Sequence, residues 1–330
     1  MLSYGDKKLI QFYILEILRE YSDKNHKLLQ NDIQNKLSSL YGIEVDRKTI
    51  SPNIDKLCDA GFDIVKHSKG CYLDEREFKP SEISFLIDAV FSSRTIDGKM
   101  AKKLAEKLSK TLSKYQQKNY KYIYKSGEIV RTDNADLFST IDTLHEAIEN
   151  KKQIEFSYNR PYLTQGKKQK QEEKRYKVNP YFLVNSQGKY YLVCNYDKYD
   201  DIANYKLEQI KDIVILKSDV KPVTEISSYE KGLDIAKYVN ENFYMLTSKS
   251  VSATIKIKDE YAVTVITDFF GKDVNFYTKD GEQFVSIRAS ELALIYWCLQ
   301  YAKYLELVSP ADTREKIKEE IKKLQESYMQ

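Results

Sequence analysis

At 330 residues the chain exceeds one ordinary domain and suits two or three. Hydrophobic residues at 42% and charged residues at 31% describe packed cores under a solvated surface, with neither a disordered nor a membrane-embedded composition. The formal net charge of +4 excludes a protein that coats nucleic acid with uniform positive charge, so any contact with DNA or RNA must come from local patches.

The chain begins with Asp6, Lys7 and Lys8 ahead of any apolar stretch, and no run approaches the length of a membrane span; neither a signal peptide nor a membrane is expected. Ile10, Ile14, Ile17 and Tyr21 then fall at helical spacing, and Ile33, Leu37 and Leu40 make a second, shorter stripe. Gly42 is placed to end that helix. Asp46 can cap a third helix with Ile50, Ile54 and Leu57 on its buried face, ending at Gly61. Residues 64–67 and 71–73 flank Ser68-Lys69-Gly70 as a small hairpin. Helix, helix, tight turn, helix, hairpin is the order of a winged helix-turn-helix over residues 1–76. Pro52 admits two readings: the helix starts at Asp46 and loses the bond to Lys48, or Ser51 is a late cap with Pro52 first in the helix.

Residues 77–150 read as a helical connector, with stripes at Ile83, Ile87 and Val90, at Leu104, Leu108 and Leu112, and at Leu137, Ile141, Leu144 and Ile148, interrupted over 120–124. The period changes to two over 151–222: Ile154, Phe156 and Tyr158 alternate, 181–184 and 189–195 flank an Asn-Ser-Gln-Gly turn, and 213–216 follows. Short strands with tight turns and one brief helical turn suggest a small SH3- or Sm-like β-barrel. Over 223–330 the order is strand (253–257), helix, strands (274–277 and 283–287), helix (291–303), strand (305–308) and a last helix carrying Ile317, Ile321, Leu324 and Tyr328. That order is ferredoxin-like, and the fold class expected overall is multidomain α+β.

Several chemistries lack their residues. Eleven glycines, the closest pair nine apart, provide no G-x-G-x-x-G turn or phosphate loop. The histidines His26, His67 and His145 are scattered, as are Cys58, Cys71, Cys194 and Cys298, so no zinc site, disulfide framework or cofactor is expected and cytoplasmic thiols are the plain reading. Glu172 and Lys174 form an E-x-K of the kind nucleases use, but a Lys- and Glu-rich chain makes such pairs by chance. The chain is not expected to be an enzyme.

A family resemblance rests on Phe156-Ser157-Tyr158, Arg175-Tyr176-Lys177-Val178-Asn179-Pro180, Tyr190-Tyr191-Leu192 and Tyr205-Lys206-Leu207-Glu208-Gln209-Ile210, in that order. Trp297-Cys298-Leu299 running to Val308-Ser309-Pro310, and Asp46-Arg47-Lys48-Thr49-Ile50 with Cys71-Tyr72-Leu73, extend it across the chain. In these features the sequence resembles the WYL-domain transcriptional regulators. Three departures stand out: Tyr190 replaces the signature Trp, Lys206 and Gln209 stand where two arginines are usual, and Pro52 occupies a position often basic.

DNA contact is expected from Arg47, Lys48, Thr49, Ser51 and Asn53 on the third helix and from Lys66 and Lys69 on the wing, since arginine pairs with guanine edges and asparagine with adenine. Residues 1–75 nevertheless carry a net charge of −1, which leaves a protein-docking winged helix open. Residues 151–177 carry +6 with Tyr158, Tyr162 and Tyr176 interleaved, a pattern of phosphate contact with base stacking or, over 167–174, of a solvated loop. The resemblance implies a ligand pocket at Tyr158, Arg175, Tyr191, Lys206 and Gln209, a nucleic-acid-derived or other anionic effector, and a setting in phage defence or DNA damage. The expected protein is a cytoplasmic, bacterial, ligand-responsive repressor rather than an activator. It would bind double-stranded operator DNA as a homodimer paired through the C-terminal extension. A non-transcriptional RNA- or single-strand-binding accessory of a phage-defence or CRISPR system is the alternative, and a nuclease the third.

Overall fold

The structure is a computed structural model that describes residues 6–118, 136–163 and 169–329, with the side chains of 161–163 and 169–172 left aside. The chain divides into two compact units, Met1–Ala135 and Asp136–Gln330. The expected interruption at 120–124 and the residues at 164–168 lie outside the described residues.

In the first unit, a 3-10 turn at Lys7–Leu9 leads into helix α1 (Ile10–Tyr21), followed by α2 (Gln30–Tyr41) and α3 (Ile50–Asp59). Their apolar stripes converge as the periodicity requires: Ile14, Ile17, Leu18, Ile33, Leu37 and Ile50 are all at most 1% exposed in one core. Gly42 ends α2 in the left-handed conformation, where its N–H and that of Ile43 close on the carbonyls of Ser38 and Leu37. Strands β1 (Ile64–His67) and β2 (Gly70–Leu73) pair antiparallel, His67 opposite Gly70, and Leu28 adds a bridge to Cys71 through two 2.9 Å bonds.

That bridge presses the backbone of Leu28 against Gly70. A Cβ at residue 70 would sit 2.6 Å from the Leu28 carbonyl oxygen, and the residue holds φ at +118°, which side chains rarely adopt. Gly70→Ala is therefore expected to destabilise the first unit by about 2 kcal/mol, read by urea unfolding; an unchanged midpoint would mean that the hairpin relaxes freely.

Helices α4 (Pro80–Ser92), α5 (Gly98–Ser109) and the short α6 (Lys114–Gln117) complete the described part of this unit. Ile83, Ile87, Ala105 and Leu112 form their core. Arg76, half-buried, donates to the carbonyls of Arg19 and Ser22 and thereby ties the segment to the end of α1.

In the second unit, α7 (Leu137–Glu149) packs on a five-stranded antiparallel sheet, so the expected connector is split: α4–α6 belong to the first unit and α7 to the second. The sheet runs β3 (Lys152–Leu163), β4 (Gln169–Ser186), β5 (Lys189–Asn195), β6 (Ala203–Lys206) and β7 (Ile210–Asp219), in spatial order β6-β5-β4-β3-β7. Strand β4 serves two partners: its first half pairs with β3, its register shifts between Pro180 and Phe182, and its second half pairs with β5. Where a small barrel is expected, the edge strands β6 and β7 are linked by the 3-10 turn Leu207–Gln209, and no ladder joins them among the described residues. The solvated loop considered for 167–174 is instead strand from Gln169 onward, with Glu173 and Lys174 exposed.

Past two 3-10 turns and α8 (Ile235–Glu241), the chain continues β8 (Ser250–Ile257), α9 (Tyr261–Phe270), β9 (Asn275–Lys279), β10 (Glu282–Ser290), α10 (Glu291–Gln300), β11 (Leu305–Ser309) and α11 (Ala311–Tyr328). The four strands lie in the order β11-β8-β10-β9, all antiparallel. Trp297, fully buried, centres the core between helices and sheet with Ile255, Val285, Ile266 and Leu294. No helix among the described residues is long and apolar enough to cross a membrane.

Candidate functional site

The first candidate surface is built by the segment entering α3. Asp46 Oδ1 accepts from the Lys48 N–H at 2.9 Å and caps a 3-10 turn over Arg47–Thr49, after which the α-helix begins at Ile50. Pro52 thus falls in the first turn of α3, where the missing N–H costs no intrahelical bond. Neither a regular α-helix from Asp46 nor a late cap at Ser51 describes this start; the tighter turn accommodates the proline. Arg47, Lys48 and Thr49 are exposed together and Ser51 is half-buried beside them. The Arg47 guanidinium donates from Nε to Gln30 Oε1 at 3.1 Å, so α2 orients it.

Asn53 does not join this group. It is buried, and its Nδ2 donates to the Thr49 carbonyl at 2.7 Å, so its amide is engaged in stabilising the turn. Lys66 is exposed but ion-paired with Asp55, a bond that raises the lysine pKa. Lys69 is exposed on the hairpin turn, its N–H donated to His67 Nδ1. Asp55 is the residue here that motif reading missed, because only the packing of α3 on the hairpin brings it to Lys66.

The second candidate site lies on the five-stranded sheet. Tyr158 is buried against Tyr205 (ring centroids 4.7 Å apart) and Tyr176 (6.1 Å), and its phenol oxygen accepts from the Lys206 backbone N–H at 3.3 Å. Burial pushes the Tyr158 phenol up to about 12, so it stays a neutral hydroxyl. Arg160 stands over its ring at 5.7 Å. Lys206 lies directly across from Tyr191 in the β5–β6 ladder, which places Lys189, two residues earlier on the same face of β5, diagonally beside it. Burial, and next the like charge of Lys189, hold the Lys206 ammonium below the usual lysine range; Glu208 opposes the shift.

Three of the expected pocket residues stand differently. Arg175 is 60% exposed and paired with Glu155 at 3.4 Å. Strand alternation sends it to the opposite face from Tyr176 and Tyr158, so it does not meet them. Tyr191 is only 9% exposed and packs with Val184, Val193, Ile226, Tyr238 and Met245, because residues 223–250 cover that face; it fills a core where presentation to a ligand was expected. Gln209 closes the 3-10 turn half-buried. The second cation near Lys206 is Lys189, supplied by the neighbouring strand and not by position 209. Its alternation with Tyr191 was readable; its adjacency to Lys206 needed the register. The Tyr162 side chain lies outside what is described.

Beside the site, a buried polar network fixes the bend of β4. Asn179, with no exposed surface, accepts from Gln153 Nε2 at 2.8 Å and from the Lys221 N–H at 3.0 Å, and donates to Asp197 Oδ1 at 2.7 Å. That last bond leads the causes that hold the Asp197 carboxyl below its ordinary range. Among the described residues no cluster of three or more His, Cys, Asp or Glu is arranged to hold a metal ion. Burial pushes the Cys71 thiol up to about 11 and Cys298 to about 12, far from the thiolate range.

Among solved structures, the chain is similar to proteasome accessory factor B/C (PafBC) of Arthrobacter aurescens, at 13% identity and a TM-score of 0.29, covering 96% of this chain and 48% of that one. It spans, then, about half the length of that relative. It is also similar to a CRISPR Cas-related protein, at 15% identity and a TM-score of 0.38, covering 97% of this chain and 84% of the other. No curated protein matches it. The WYL domain family model matches residues 139–215, the stretch that runs from α7 through β7 and contains Tyr158, Lys189, Tyr191 and Lys206. The helix-backed five-stranded sheet of this chain is therefore a WYL domain.

Proposed function

We propose that the chain is a ligand-responsive, DNA-binding transcriptional regulator. Residues 1–76 act as a winged helix-turn-helix on duplex operator DNA, the WYL domain takes an anionic effector, and the β-α-β-β-α-β unit, ferredoxin-like in its strand order, pairs two copies. The observation that carries the reading is the joint exposure of Arg47, Lys48 and Thr49 at the head of α3, on a three-helix core followed by a hairpin that exposes Lys69. Arginine and lysine at a helix start suit phosphates and guanine edges. Exposed Ile321, Leu324 and Tyr328 on α11 supply an apolar seam for a homodimer, which two half-sites on DNA call for. The effector is nucleic-acid-derived in this reading, the regulator a cytoplasmic bacterial repressor linked to phage defence, and the chain turns over no substrate.

Selection of duplex DNA from a random pool tests the assignment. The expected product is one pseudo-palindromic site whose affinity falls steeply with salt. Arg47→Ala should cost about 1–3 kcal/mol on that site, and Asn53→Ala should act on stability instead, since its amide serves the turn. Equal binding of every duplex by wild type and by an Arg47→Ala/Lys48→Ala variant would overturn the reading. The rival, a single-strand-binding accessory protein, draws on Arg160 and Lys174 over the Tyr158 and Tyr176 rings and would select no duplex site.

A further inference from the structure

Helix α5 carries an unbalanced charge. Residues 98–118 hold seven lysines against one glutamate, whereas residues 1–75, with the three-helix core and the hairpin, net −1. Within α5, Lys99, Lys102, Lys103 and Lys107 recur at helical spacing and so share one side of the helix, all four exposed. The opposite side is sealed. Ala101 and Ala105 have no exposed surface, and Ala105 and Leu108 pack with Ile83 and Ile87 of α4. That packing fixes the rotation of α5 about its axis and holds the lysines outward as one row.

Solvation alone does not account for this row. Helix α11 shows how the chain otherwise builds a charged helix: five Lys and Arg stand among five Asp and Glu, and Lys318–Glu315 and Lys323–Glu320 pair at 2.6 and 2.5 Å. In α5 like charges stand four residues apart, Lys99 with Lys103 and Lys103 with Lys107, an arrangement that weakens a helix. The Asp97 carboxylate is occupied in capping, accepting from the Lys99 and Met100 N–H groups at 2.7 and 2.9 Å. Glu106 is the one acid on the cationic side. Further along, Lys114 is held by Glu20, and Lys110 borders a cleft with Glu16, Glu75 and Glu77. The uncompensated charge is therefore that of Lys99, Lys102, Lys103 and Lys107, none of which is ion-paired among the described residues.

We propose that the lysine row of α5 is a second DNA-contacting surface, which grips the phosphate backbone of duplex DNA while the head of α3 reads the site. The inference rests on the duplex-binding reading and adds to it where the attraction for phosphate resides. A segment that nets −1 draws a polyanion weakly, and the row supplies the missing positive charge. From Lys99 to Lys107 it covers roughly 12 Å along the helix axis, the rise of three to four base pairs at about 3.4 Å each. The neighbouring α6 is anchored beside the segment that orients α3. Its Tyr115 stacks on His26 with ring centroids 3.6 Å apart, and four residues beyond His26, Gln30 accepts from Arg47. Lysine acts as a point charge without the planar fork that reads base edges, so the row is indifferent to sequence. The surroundings favour duplex DNA over other partners. No aromatic side chain lies on α5 to stack the bases of a single strand, and no apolar patch interrupts the lysines to centre a protein interface.

Fluorescence anisotropy with the full chain tests it, on the duplex recovered by selection, extended by about one helical turn at each end, and on an unrelated duplex of equal length. Lys99→Gln/Lys102→Gln/Lys103→Gln/Lys107→Gln should lose about tenfold or more on both duplexes, by nearly the same factor. The slope of log affinity against log salt should fall by about two or more, since each phosphate contact contributes about one. The melting temperature of this variant should not fall, because the substitutions relieve like-charge repulsion along α5. Glu106→Gln, which removes the acid from the row, should tighten both duplexes, whereas Arg47→Ala should act mainly on the selected one. If the fourfold variant keeps wild-type affinity and salt slope while Arg47→Ala loses the selected site, the proposal is overturned and the regulator reading stands. If wild type binds neither duplex, both fall. A fourfold variant that holds duplex DNA normally but loses a labelled oligo(U) assigns the face to RNA and likewise overturns the proposal.

Discussion

Removing both lysines of the WYL site, in Lys189→Ala/Lys206→Ala, is expected to lower affinity for a small anionic effector by two powers of ten or more. A charge-assisted hydrogen bond contributes about 1.5–3 kcal/mol, and two are lost together. Nucleoside 5′-monophosphates and dinucleotides are the probes, measured calorimetrically and by their effect on operator affinity. Linkage demands that an effector which weakens operator binding is itself weakened by operator to the same factor, so the variant should hold DNA yet ignore the effector. If the response survives unchanged, sensing lies elsewhere in the chain.

The same site has a pH signature. Burial and Lys189 depress the Lys206 pKa, so anion binding should fade as pH rises through a value below the ~10.4 of an ordinary lysine. Lys189→Ala alone removes the like charge and should move that loss to higher pH. Stability runs the other way. The fold disfavours the charged Lys206, the unfolded chain binds the extra proton between the two pKa values, and stability therefore rises with pH across that window.

Asn179→Ala should cost about 3 kcal/mol of stability in the second unit, because one side chain with no exposed surface satisfies several partners at once. Its loss strands the Lys221 N–H and part of the Gln153 amide and frees the bend of β4. Chemical unfolding followed by the tyrosine signal would measure it; a cost under about 1 kcal/mol would mean that water replaces the amide. Asp197 reports independently. Its folded pKa is depressed, so its stabilisation is present above the unfolded value of about 3.9 and is lost as pH falls through the folded one. Without Asn179 this acid-sensitive part should shrink.

Local pattern alone determined much of this protein. The four-three-four spacing of Ile10, Ile14, Ile17 and Tyr21, the glycine after Tyr41, the Ser-Lys-Gly hairpin turn and the alternation through Phe156 and Tyr158 each constrain a few successive residues, and each element is present. The WYL motifs were legible because they too are short and ordered along the chain. Tertiary structure decided which side chains are free to act. Asn53 looked like a base reader until its amide folded back onto Thr49. Tyr191 looked available until residues 223–250, which carry no strong period, laid Ile226, Tyr238 and Met245 over it. Arg175 sits one residue out of phase with its supposed partners. Lys189 and Lys206 are seventeen residues apart and meet only through the β5–β6 register. Periodicity tells which residues share a face of one strand or helix. Which face is covered, and which strand lies alongside, follows from long-range pairing and packing, and so it was in the register and the covering segments that the candidate sites took shape.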